Sequence, residues 1–243
     1  MSTPNSHPGA PAVILFGSPG SGKGTQARLL QAAMRIPHIS TGDMLRAHIE
    51  AGDQIGQAST NLLKSGKLVP DETVNRLVQE RLQEPDCRAG IILDGYPRTI
   101  NQARVLLSFM HDFGFRPGVV YLEVDLERIV RRLTGRRVCP VCGTLYSLKT
   151  HPPKVEGVCD LDGATLVTRE DDHEPVIRER LKAYECQTRP VLDFFGQAGV
   201  PVLNVKGFSA LPEEISDRVI AALRSVGLGA PGTPGQLIGC HSE

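Results

Sequence analysis

The sequence has no excess of charge: Lys plus Arg and Asp plus Glu both number 27 in 243 residues. Such a balance gives no electrostatic reason to expect nucleic acid or an anionic membrane as partner. No apolar run approaches the ~20 residues that a spanning helix needs; Ala12 to Phe16 is typical of the longest. Met1 to Pro11 shows no basic region followed by a long apolar stretch, so a secretory signal is not expected there and the cytoplasm is the simplest location. Cysteines are few, and only Cys139, Cys142 and Cys159 cluster; Cys87, Cys186 and Cys240 are scattered. In a reducing compartment that grouping suggests a metal rather than disulfides. With 40% apolar residues the chain can bury a core without covalent staples.

What is present alternates strand and helix. Ala12–Phe16, Gly90–Leu93, Gly118–Val124 and Val200–Val205 read as continuous apolar strands, with a helix from about Gly22 to Met34 after the first. Buried strands separated by helices predict an α/β fold with a parallel sheet covered on both faces. Residues 40–69, punctuated by Gly52, Gly56 and Gly66, and residues 135–172, holding the cysteines, break the rhythm and are expected to be inserts capping one domain over 12–226. Residues 1–11 are rich in Pro, Ser and Asn, and 227–243 in Gly and Pro, so both ends are expected to be disordered extensions.

The loop Gly17-Ser-Pro-Gly20-Ser21-Gly22-Lys23-Gly24-Thr25 follows a predicted strand and opens a predicted helix, the context of a phosphate-binding loop. Its glycines let successive N–H groups face anionic oxygens, the helix N-terminus adds partial positive charge, and Lys23 adds a full one. Gly24 stands where the general motif places a hydroxyl residue for magnesium. Asp94, at the end of Ile91-Ile-Leu-Asp94, is expected to hold Mg²⁺ through water, unless it is a simple strand-end cap.

Cys139-Pro-Val-Cys142-Gly143 and Cys159-Asp-Leu-Asp162-Gly163 repeat one pattern of ligand, two residues, ligand, glycine. The spacing suits a structural Zn²⁺ site of three thiolates and one carboxylate, closed to catalysis. Asp160 competes with Asp162 but breaks the symmetry, and His151 is a further rival. His38, His111 and His173 have no partner at metal spacing and read as surface or packing residues.

Taken together these motifs resemble the nucleoside monophosphate kinases of the P-loop NTPase fold class. Gly17 to Thr25 resembles that family's loop, glycine departure included. Ser40-Thr-Gly-Asp-Met-Leu-Arg46 resembles the start of its acceptor-binding insert, Asp94-Gly-Tyr-Pro-Arg98-Thr99 its acceptor loop, and Gly135-Arg-Arg137 with Arg169-Glu-Asp-Asp172 its two lid hinges. The long, zinc-stapled lid is similar to that of adenylate kinases. The resemblance implies reversible phosphoryl transfer from ATP to AMP, giving ADP, by a monomer. It implies ATP contacts from Gly20, Ser21, Gly22, Lys23, Gly24, Thr25, Arg132 and Arg136. It implies AMP contacts from Thr41, Arg46, Leu68, Val69, Gly95, Arg98, Gln102, Arg169 and Arg180. Lys23, Arg98, Arg136, Arg169 and Arg180 are the implied catalytic set.

The chemistry favours arginine, because charge spreads over three equatorial oxygens and planar guanidinium forks bind such oxygens in pairs. Simpler roles stand beside these. Thr41 could cap the helix after it, Gln102 could be an ordinary exposed helix residue, and Asp171 and Asp172 could be hinge structure. Arg137 reads as a lid surface residue. Rival functions are a kinase for CMP or UMP and a zinc-knuckle module that binds nucleic acid and carries a nucleotide switch.

Overall fold

The computed structural model describes residues 9–124, 126–149, 151–207 and 211–229, with backbone alone for 126–128. The expected extensions over 1–8 and 230–243 lie outside the described residues. Among the described residues, no helix is long and apolar enough to cross a membrane.

Five strands form one parallel sheet in the order β2-β3-β1-β4-β7: β2 His38–Ser40, β3 Ile91–Asp94, β1 Ala10–Phe16, β4 Phe115–Glu123 and β7 Val202–Lys206. The α/β class read from the sequence is what the chain adopts. Side chains alternate across a strand, and the core divides accordingly. Val13, Leu15, Ile92, Val120 and Leu122 face α1 (Lys23–Met34) and α9 (Pro212–Ser225). Ala12, Ile14, Phe16, Ile91, Leu93 and Val119 face α4 (Asp71–Leu82), α5 (Ile100–Phe113) and α8 (Pro190–Gln197). Burial on both sides explains why these strands read as unbroken apolar runs.

The ends depart from expectation. β1 begins at Ala10, so Ala10 and Pro11 pair with Phe115 and Arg116 and are sheet, not extension. Leu228, expected in the tail, is 2% exposed and fills the space that Gly118 leaves without a side chain. The short edge strand β2 gave no run long enough to be read in advance.

Helices α2 (Thr41–Ala51) and α3 (Gln54–Lys64) occupy the first expected insert. Ser40, not Thr41, caps α2, its Oγ accepting from the Asp43 N–H at 3.3 Å; Asp53 caps α3. After α6 (Leu126–Thr134) the second insert folds around an antiparallel pair, β5 (Arg136–Val138) and β6 (Leu145–Ser147), and returns to the body through α7 (Glu174–Ala183). Its interior is small: Cys139, Tyr146, Cys159 and Leu166.

β1 is flanked by β3 on one side and β4 on the other, so successive chain connections leave it in opposite directions. In open α/β sheets, ligands bind beyond the carboxyl ends of strands at such a switch. Gly17 to Gly22, Asp94 and the start of α2 all lie there.

Candidate active site

The phosphate loop is built by backbone geometry. Gly17, Gly20 and Gly22 adopt positive φ. A Cβ on Gly17 would stand 2.8 Å from the Leu122 carbonyl oxygen, so no larger residue fits the exit of β1. Lys23 opens α1 and folds back, its Nζ donating to the carbonyls of Gly17 at 2.8 Å and Ser18 at 2.9 Å. Burial lowers Lys23 to about 8; Asp94 opposes the shift, and Arg98, Arg180 and Arg136 add to it. This is an ammonium short of negative charge, which an incoming phosphate would supply.

Asp94 pairs in register with Leu15 and Ser40, placing its carboxylate between the loop and α2. Burial pushes its pKa up, but the His38 imidazole 3.5 Å away and the Lys23 charge outweigh that and hold it below the usual carboxylate range. Gly24 has no side chain, and a Cβ there would lie 3.5 Å from Asp94 Oδ2. The missing hydroxyl thus leaves room beside an ionised carboxylate, an arrangement that fits a magnesium ion held through water rather than by the loop directly.

A cavity of about 980 Å³ runs from this loop to Leu68 and Val69. Lys23, Arg46, Arg98, Arg132, Arg136, Arg169 and Arg180 all line it. These residues come from α1, α2, the loop after β3, α6, β5, the end of the second insert and α7, so only the tertiary fold brings them together. All but Arg132 are held by specific partners. Arg98 Nε donates to the Gly95 carbonyl at 2.7 Å. Arg136 grips Asp172 with both arms, Nε to Oδ2 at 2.7 Å and Nη2 to Oδ1 at 2.5 Å. Arg180 Nη1 reaches Asp171 Oδ2 at 2.9 Å and Asp172 Oδ1 at 3.5 Å. Arg46 pairs with Asp43, and Arg169 lies 3.6 Å from that same carboxylate. Asp171 and Asp172 thus hold Arg136 and Arg180 in place, and Asp171 also lines the cavity. Burial lowers Arg98 to about 10, helped by the Arg180 charge, and lowers Arg169 to about 10, helped by Arg46 and Arg136. Cations this crowded are held by the fold until a polyanion neutralises them.

Thr41 and Gln102 stand against this wall. Thr41 Oγ1 donates to the Gly95 carbonyl at 2.9 Å. Gln102 is buried, not exposed; its Oε1 accepts from the Arg98 N–H at 2.7 Å and its Nε2 donates to Asp71 at 2.7 Å. Both hold the segment that aims Arg98. Arg132 sits by the phosphate loop, Nη2 lying 3.7 Å from where Gly22 would carry a Cβ. Among the described residues, Arg137 bonds the Thr134 and Arg136 carbonyls, and it is not among those lining the cavity.

Sequence reasoning missed several residues. His38 was read as packing, yet it lines the cavity beside Asp94. Leu211 to Ile215 line the cavity and are tied to α1 where Gln26 Nε2 donates to the Pro212 carbonyl at 2.9 Å. No local motif marks that segment; it becomes part of the site because β7 returns beside β4.

In the second insert Cys139, Cys142, Cys159 and Asp162 bring ligand atoms within 4.8 Å of one another. Cys142 Sγ lies 3.6 Å from Cys159 Sγ, and Cys139 Sγ 3.2 Å from Asp162 Oδ2. Those separations are the edges of a tetrahedron with metal–ligand bonds of roughly 2.0–2.3 Å, so the donor set fits Zn²⁺. The rivals fall away. Asp160 turns its carboxylate to the Lys154 N–H at 2.8 Å, and the His151 ring stacks on Tyr146. Both knuckles repeat one turn: Gly143 N–H donates to the Cys139 carbonyl at 2.9 Å, and Gly163 N–H to that of Cys159 at 3.0 Å.

Residues 15–200 match the family model described as Adenylate kinase. The chain belongs to the adenylate kinase family. It is 43% identical over 206 residues to the adenylate kinase of Caldanaerobacter subterraneus subsp. tengcongensis, covering 84% of this chain and 93% of that protein. It is 46% identical over 206 residues to that of Exiguobacterium sibiricum (84% and 95% covered) and 45% over 207 residues to that of Methanococcoides burtonii (84% and 95%). Membership makes the chain a phosphotransferase of the nucleoside monophosphate kinase class, with ATP, ADP and AMP as the nucleotides that the family binds and Mg²⁺ accompanying ATP.

Proposed function

We propose that the chain catalyses ATP + AMP ⇌ 2 ADP. The observation that carries the reading is the ring of cations from opposite walls of one cavity, between a phosphate loop and the apolar end at Leu68 and Val69. Residues Gly20 to Thr25 with Arg132 take the ATP phosphates. Arg46 and Arg98, supported by Thr41, Gly95 and Gln102, take the AMP phosphate, and Leu68 and Val69 flank its base. The AMP phosphate oxygen is already a competent nucleophile, so no general base is required. Lys23, Arg136, Arg169 and Arg180 neutralise the phosphoryl in transit. An arginine so placed is worth roughly 10³–10⁵ in rate, or about 4–7 kcal/mol.

Magnesium, held by Asp94 through water, supplies further neutralisation of phosphate oxygens when bound with ATP. Zinc held by Cys139, Cys142, Cys159 and Asp162 is structural. A lid whose interior is four buried residues has little apolar surface to stabilise it, so a metal supplies the difference. Residues 40–69 and 135–172 act as two covers, and their closure keeps water from taking the phosphoryl.

The test is ADP formation from ATP with AMP, run beside CMP and UMP as acceptors. AMP should be turned over much the fastest. Faster turnover of CMP or UMP would overturn the choice of acceptor, and no turnover with AMP in the presence of magnesium would overturn the reaction.

A further inference from the structure

Arg28 lies on α1, about one and a half turns beyond Lys23, and the proposed reaction gives it no role. Its guanidinium reaches across to the second insert. Nη2 donates to the Gly143 carbonyl, and Nη1 lies 3.5 Å from that of Cys142. Both acceptors belong to the first metal knuckle, far away in sequence.

The fit is specific. Gly143 has φ +66, which favours glycine, and a Cβ there would stand 2.8 Å from Arg28 Nη2, so a side chain at this position would push the guanidinium aside. The knuckle's own N–H groups turn inward, Cys142 N–H toward Cys139 Sγ and Gly143 N–H toward the Cys139 carbonyl. That leaves the carbonyls of Cys142 and Gly143 facing out toward the arginine. A planar fork can serve two carbonyls at once, as an ammonium cannot. The contact continues along the strand, since Leu145 Cδ1 comes within 3.4 Å of where Gly24 would carry a Cβ. Arg28, Thr144, Leu145 and Tyr146 line the phosphate-loop side of the cavity. Tyr146 then reaches the second knuckle: its hydroxyl lies 3.5 Å from Cys159 Sγ and accepts from the Asp160 N–H at 2.8 Å.

We propose that Arg28 is a positioning residue for the donor nucleotide: it latches the first metal knuckle onto the helix that carries the phosphate loop. The inference rests on reading this end of the cavity as the ATP site. The latch exists only while the insert lies against α1, so it stabilises the covered state and with it the bound donor. The acceptor end, walled by α2 and the loop after β3, does not touch it. Removing the latch therefore weakens donor binding alone, without slowing the chemical step.

The experiment compares wild type with Arg28→Ala and Arg28→Lys. It measures KM for ATP and for AMP, kcat, and the calorimetric affinity for a non-hydrolysable ATP analogue. For Arg28→Ala the expected result is a rise of about tenfold in KM for ATP and in the analogue's Kd, from the lost charged donor. KM for AMP should stay within about twofold, with kcat not reduced. Arg28→Lys should fall between the two. Unchanged donor affinity in Arg28→Ala would overturn the latch, as would equal increases for both nucleotides. The analogue separates the two levels of inference: a wild type that binds it but makes no ADP sinks the reaction and leaves the latch testable, whereas a wild type that turns over normally with Arg28→Ala unaltered sinks the latch alone.

Discussion

The sheet and the cysteine-bearing insert reach order by opposite routes. The sheet is stabilised by apolar residues from both faces, with Ile14, Ile92, Leu93 and Val119 fully buried. The insert has Cys139, Tyr146, Cys159 and Leu166 for an interior, two of them members of the cluster that could hold a metal, and it leaves Val141 and Leu161 each 74% exposed at matching positions of its two knuckles. One region is rigid because dense packing makes it so. The other is light and shaped by turns around a cluster of thiols and a carboxylate, with little packed interior to hold it to the body. The charges follow the same division: Lys23 and Asp94 are fixed to strand and helix ends, whereas Arg136 and Arg169 stand at the insert's two junctions with the body.

The comparison can be broken most severely at Lys23. Lys23→Met should lower kcat/KM by about 10³ in a coupled assay of ADP formation, yet raise the melting temperature, because a lysine pushed down by burial costs stability. A melting temperature that falls with activity would mean the loop needs its lysine to fold.

Next in size, Leu93→Ala should cost roughly 2–5 kcal/mol of global stability in chemical denaturation. Removing zinc with a chelator should leave that global transition in place and unfold the insert alone, seen as fast amide exchange over 136–168. If chelation melts the sheet as well, the two regions are not independent.

Asp172 sharpens the boundary, since its fully buried side chain orients Arg136 and Arg180 together. Asp172→Asn should reduce kcat by about 10²–10³ through misplaced charge, with less change in KM for ATP than Arg28→Ala.

A smaller effect is expected from pH. Lys23 is protonated below about 8 in the folded free protein, against 10.5 for an ordinary lysine, so kcat/KM for ATP should decline as pH rises through about 8. Between those values the unfolded chain binds more protons than the folded one, so the stability cost of burying this lysine is relieved as pH rises. A flat profile to pH 9.5 would place the functional pKa elsewhere. Smallest of all, Val141→Ser should change stability by less than about 0.5 kcal/mol; a larger loss would show that the knuckle tip is packed in the working protein.

Much of this was legible beforehand because its causes are local. The phosphate loop is recognisable since glycines, lysine and the flanking strand and helix are contiguous. The knuckles are recognisable since a chelating turn imposes its own spacing, and the choice of Asp162 over Asp160 followed from that repeat. Thr41 was harder: the resemblance implies an AMP contact while its place at a helix start also allows a cap, and the chain path shows Ser40 capping while Thr41 turns to Gly95. The resemblance implies Gln102 as an AMP contact, with an exposed helix position as the plainer alternative; it is buried, and Asp71 of α4 accepts from its Nε2.

By itself, then, the amino-acid order made the long core strands, the phosphate-gripping turn and the candidate metal ligands readable, because hydrophobic period, glycine spacing and chelate geometry act over a few residues; the arginines were picked out by family resemblance. The tertiary structure alone decided which arginines meet, that Asp171 and Asp172 hold Arg136 and Arg180, that Leu211 to Ile215 line the cavity, and that Arg28 reaches a knuckle more than a hundred residues away. Those are contacts between segments distant along the chain, made when the parallel crossovers bring strand ends together. No local pattern encodes the distance between two side chains that meet only after the sheet has formed.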